Sequence, residues 1–94
     1  MKVARYTYQG TESFGVLKDE NHIVDLPKLS RLRKNVPANI NELISLGLKA
    51  EALLKELTEN LSNRERKESL LETGKVVFKA PVADPPKIIC LGLN

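Results

Sequence analysis

The hydrophobic and polar positions of this chain change period partway along it. Val3, Arg5 and Thr7 alternate with Ala4, Tyr6 and Tyr8. This two-residue period, with tyrosines and a valine, predicts a strand over 2–8. Gln9-Gly10-Thr11 reads as a turn, and a second strand follows over about 13–18 with Phe14, Val16 and Leu17. Gly15 inside that strand marks a bulge or a close backbone approach. Asp19-Glu20-Asn21 is turn chemistry, with Asn21 suited to a positive φ. A third short strand, 22–26, stops at Pro27. Three strands joined by tight turns make an antiparallel meander.

From Pro27 the period becomes helical. Pro27 suits a first helical position, with Asp25 or Leu26 just outside, and Leu29 and Leu32 share a face for about two turns. Asn35-Val36-Pro37-Ala38 breaks this helix. Asn39 and Glu42 have capping spacing for the next one, which carries Ile40, Leu43, Ile44 and Leu46 and stops at Gly47. Lys49 to Leu61 has the strongest helical pattern, with Leu53, Leu54, Leu57 and Leu61 in one stripe. Glu51 and Lys55 add an i,i+4 pair worth about 0.3 kcal/mol. Ser62 and Glu65 form a second candidate capping box, starting a helix through Glu72; alternatively the preceding helix runs straight through. This part is mostly charged, with only Leu70 and Leu71 to bury, so a mobile connection is a further reading. Thr73-Gly74 ends it, and Val76-Val77-Phe78 reads as a short strand.

Ala80 to Pro86 reads as an extended linker, because each residue before a proline is pushed out of the helical region. Lys87-Ile88-Ile89-Cys90-Leu91-Gly92-Leu93-Asn94 is then apolar on both faces. Such a run reads as a strand in the middle of a sheet, buried on two sides. A central strand normally leads into further structure, so the expectation is the front part of a longer protein. The expected fold class is α+β: a small antiparallel strand meander followed by helices (residues 1–80), then a linker and the first strand of a missing catalytic domain (81–94).

The Pro85-to-Asn94 block closely resembles the segment that opens the catalytic domain of the fumarylacetoacetate hydrolase superfamily. Arg5-Tyr6, Gly15-Val16 and Val24-Asp25-Leu26 also resemble the Arg-aromatic, Gly-apolar and Asp-Leu signals of many prokaryotic members. A 2-hydroxyhepta-2,4-diene-1,7-dioate isomerase label is common among such members. The resemblance implies a parent enzyme that uses a divalent metal, usually Mg²⁺, to chelate a 2-oxo acid or 1,3-dicarbonyl. The cation polarises the oxygens and stabilises enolate charge. The outcome is hydrolysis, isomerisation, decarboxylation or dehydration, according to the member. The family's His, Glu-x-Glu and Asp metal ligands have no counterpart in this chain. By the same resemblance residues 1–80 are a structural and dimerisation domain, whose partners are its own catalytic domain and a second copy of the parent. These 94 residues alone are then expected to be inactive. Asn94 is the one candidate substrate-proximal residue, with a turn-forming asparagine as the alternative.

Composition narrows the field further. The chain of 94 residues is 41% apolar and 29% charged, which suits a globular fold. Its net charge of +3, from 15 Lys+Arg and 12 Asp+Glu, is below the footprint of a dedicated nucleic-acid binder. The basic run Lys28, Arg31, Arg33 and Lys34 has no interleaved aromatic for base stacking, so solvent or a protein contact is preferred over nucleic acid. Cys90 is the sole cysteine and reads as a small hydrophobe rather than a reactive thiol. Without a partner for a disulfide it fits a reducing compartment, and no segment has the apolar length of a signal peptide or a membrane span, so the cytoplasm is expected and a membrane is not. His22 reads as a surface turn residue, and Glu65, Glu68 and Glu72 as a solvated helix face. One His and one Cys exclude the usual zinc patterns. A second class of function stays open: a free-standing interaction module that docks a protein or binds nucleic acid weakly.

Overall fold

The computed structural model describes residues 2–79, and these form an α+β fold. The strands are β1 (Lys2–Tyr8), β2 (Thr11–Leu17), β3 (His22–Asp25), β4 (Leu70–Glu72) and β5 (Val76–Phe78). They make one antiparallel sheet in the order β4-β3-β2-β1-β5. The helices are α1 (Leu26–Ser30), α2 (Ile40–Ser45), α3 (Ala50–Glu59) and α4 (Asn63–Ser69). The expected linker and first catalytic-domain strand of 81–94, with Cys90 and Asn94 in it, lie outside the described residues.

The β1–β2 hairpin turns on two residues, Gln9 and Gly10, with φ of 50° and 82°. Positive φ at both central positions matches the right-handed twist of the strands it joins. Asn21 was the expected left-handed residue of the next turn, but among the described non-glycines that conformation falls to Gln9 and Asn35. Asp19 instead folds the β2–β3 turn by accepting from the Asn21 amide at 2.8 Å.

Opposed residues across an antiparallel pair share a face. Val3 pairs with Val16, Val16 with Val24, and Val24 with Leu70. This face packs on the helices through Leu29, Leu43, Leu54, Leu57 and Leu61. The other face carries Ala4, Tyr6, Ile23 and Leu71 as a second buried cluster. Both faces are therefore apolar, which explains why alternation in β1 and β3 is incomplete.

Helix ends follow local chemistry. Asn39 caps α2 by accepting from the Glu42 amide at 2.9 Å. Ser62 and Glu65 complete the reciprocal capping box of α4 at 3.1 and 2.8 Å. Helix α1 is shorter than the expected two turns. It ends at Ser30, and the chain continues through looser turns in which Leu32 and Arg33 both donate to the Leu29 carbonyl. Helix α4 does not run to Glu72. It stops at Ser69, and Leu70–Glu72 becomes edge strand β4, with Leu71 opposite Ile23 and Leu70 opposite Val24. A helix there would bury both leucines on one side only, whereas a strand sends one to each apolar face.

Candidate functional site

Three side-chain positions far apart in sequence meet on the second face of the sheet. Tyr6 of β1 crosses β2 and donates its hydroxyl to Asp25 Oδ2 at 2.7 Å. Ser13, opposite Tyr6 in the β1–β2 register, donates to the same oxygen at 2.7 Å. The Lys28 amide donates to Asp25 Oδ1 at 2.9 Å, so Asp25 is also the N-cap of α1. Gly15 lies beneath the tyrosine. A Cβ there would stand 2.4 Å from the Val24 carbonyl oxygen and 2.8 Å from the Tyr6 hydroxyl. The glycine is thus a close-approach position and not a bulge, an aromatic packed over a glycine in a neighbouring strand.

The chemistry of this cluster is holding, not transfer. Burial, and then the charge of Asp25, push the Tyr6 hydroxyl well above the usual phenol range, so it stays a proton donor. Asp25 is 1% exposed and accepts three hydrogen bonds. A carboxylate so engaged is not free to act as a base or nucleophile. Among the described residues no buried side-chain N or O atom lacks a partner.

Beside the cluster runs a groove between the β1–β2 hairpin and α1. Its volume is about 390 Å³, and Tyr8, Thr11, Ser13, Asp25, Lys28 and Arg31 are among its walls. The Lys28 ammonium lies 5.8 Å from the centroid of the Tyr8 ring, within cation–π range. Glu12, at the rim, pairs with Lys79. The basic run 28–34 is therefore divided by the fold. Lys28 and Arg31 face the groove, while Arg33 turns to α4 and grips Glu65 through Nε and Nη2 at 2.9 and 2.7 Å. Arg33 Nη2 also donates to the Asn60 carbonyl at 2.7 Å.

His22 opens β3 at the edge of the turn, as the expected strand 22–26 has it, partly exposed and with Nδ1 2.9 Å from Asp19 Oδ1. The Asn21 amide, and then His22, hold the Asp19 carboxyl below its usual range. Among the described residues no three His, Cys, Asp or Glu stand together as metal donors. The Mg²⁺ implied by the family resemblance thus finds no ligand set within residues 2–79. Of the three acids expected on a solvated face, Glu68 and Glu72 are exposed, Glu68 beside Lys28 and Arg31 at a small recess, whereas Glu65 is taken into the Arg33 clamp.

The roles of Ser13 and Tyr8 escaped the sequence reading. Only the register opposite Tyr6 identifies Ser13, and only the path of α1 identifies Tyr8. No helix among the described residues is long and apolar enough to cross a membrane. No protein-family model and no curated protein matches this chain.

Proposed function

We propose that this chain is the N-terminal structural and dimerisation domain of a metal-dependent enzyme of the fumarylacetoacetate hydrolase kind. The substrate class is a 2-oxo acid or 1,3-dicarbonyl, and the setting is the reducing cytoplasm. The support comes first from the Pro85-to-Asn94 block. It comes also from the way the N-terminal likeness is built: Tyr6, Gly15 and Asp25, one from each of its three segments, are one contact set. A tyrosine over a glycine, tied to a helix-capping aspartate, is a single physical requirement, so the three signals count as one coherent feature. The polar groups of that set are spent on one another, which suits a supporting unit. The divalent cation, and the chemistry it supplies, belong in this reading to the catalytic unit. Val77 and Phe78, exposed on edge strand β5 just before residues 80–94, offer that unit an apolar contact.

The test has two arms. The 94-residue chain, supplied with Mg²⁺ and oxaloacetate or an acylpyruvate, is expected to show no turnover; metal-dependent turnover overturns the assignment of catalysis to another unit. The coding sequence beyond Asn94 is expected to continue with a tyrosine and then a histidine and acidic residues at short spacing. A stop codon at that point overturns the family reading.

A further inference from the structure

We infer that the groove between the β1–β2 hairpin and α1 is a phosphate-binding site, with Lys28 and Arg31 as its two cations. The two residues are three apart at α1 and its C-terminal cap, a spacing that puts side chains on one face. Both line the groove, as do Thr11 and Tyr8, which stand opposite one another in the β1–β2 register. The volume, about 390 Å³, falls in the range of small-molecule sites, roughly 300–1,000 Å³.

The acids that line the groove are already engaged. Asp25 accepts from Tyr6, Ser13 and the Lys28 amide. Glu12 pairs with Lys79. Glu68 of α4 shares a second, smaller recess with the two cations. Among the described residues, however, neither Lys28 nor Arg31 makes an ion pair. The Lys28 ammonium lies 5.8 Å from the centroid of the Tyr8 ring, an attraction that favours its place beside the groove. A planar guanidinium presents two parallel donors and an ammonium supplies a point charge. A phosphate group, with several acid oxygens, satisfies both at once and leaves an oxygen for Thr11.

The experiment titrates the isotope-labelled 94-residue chain with inorganic phosphate at constant ionic strength and follows its amide spectrum. Saturable shifts are expected at Thr11, Lys28 and Arg31. The double variant Lys28→Gln/Arg31→Gln is expected to weaken binding by about tenfold or more, because two charge-assisted contacts are lost. Arg31→Gln alone, at an exposed position, weakens it in the same direction and guards against a folding defect in the double variant. The control Arg64→Gln/Lys67→Gln removes equal charge from α4 and leaves binding unchanged. Shifts that do not saturate, or a control that loses as much as the double variant, overturn the site.

Discussion

Tyr6 and Asp25 are nineteen residues apart and joined by a 2.7 Å hydrogen bond that passes over Gly15. This bond ties the first strand of the meander to the start of the first helix. Removing the hydroxyl with Tyr6→Phe leaves Asp25 with Ser13 and the Lys28 amide only. The expected loss is about 1.5–3 kcal/mol, the range for a hydrogen bond to a charged group, read by urea unfolding. A wild-type midpoint in that variant contradicts the role given to the hydroxyl.

Gly15→Ala tests the same crossing from below. Its methyl would meet the Val24 backbone oxygen, which cannot swing aside as a side chain can. Destabilisation of about 2 kcal/mol is expected from this overpacking. A crystal structure of a variant that tolerates alanine with Tyr6 still over position 15 would exclude the steric account.

Asp25→Asn separates the two tasks of the carboxylate. The amide oxygen can still cap α1, and the NH₂ can donate to the Tyr6 and Ser13 hydroxyl oxygens with the bonds reversed. The cap survives while the cross-strand bonds lose their charge assistance. Asp25→Ala loses both sets, so it is expected to be the more damaging, by roughly 1 kcal/mol or more. Equal stabilities of the two variants would show that capping contributes nothing.

The Arg33 clamp, with the Ser62 amide as a second cause, lowers the Glu65 carboxyl from 4.5 to about 2. A folded value below the unfolded one means the stabilisation is complete above pH 4.5 and is lost as pH falls through about 2. Arg33→Gln is expected to raise the Glu65 titration midpoint, though not fully to 4.5, because the capping bond from Ser62 remains. Carboxyl chemical shifts against pH measure this directly. An unmoved midpoint would assign the shift to the capping box alone.

Gln9 adopts a positive φ that suits asparagine better than glutamine. Gln9→Asn is expected to stabilise the hairpin by a few tenths of a kcal/mol, seen as a higher Tm. A lower Tm would mean that the glutamine side chain contributes to the fold outside the turn.

The meander, the two side-chain caps at Asn39 and Ser62 and the leucine stripe of α3 were legible from residue order, because each depends on neighbours within one or two turns of chain. Strand β4 was not. Leu70–Glu72 is three residues long, too short to display a period, and its identity comes from pairing with β3 nearly fifty residues earlier. The basic run 28–34 looked like one surface, yet its charges part company because Glu65 captures Arg33 from another helix. Tyr6, Gly15 and Asp25 were each visible as letters; that they touch follows from strand register, which brings distant positions within hydrogen-bonding reach. Local patterning thus told which of the longer segments would be strands and which helices, since burial period and capping are short-range. Which side chains share a site was set by packing, because contacts between remote segments leave no periodic trace along the chain.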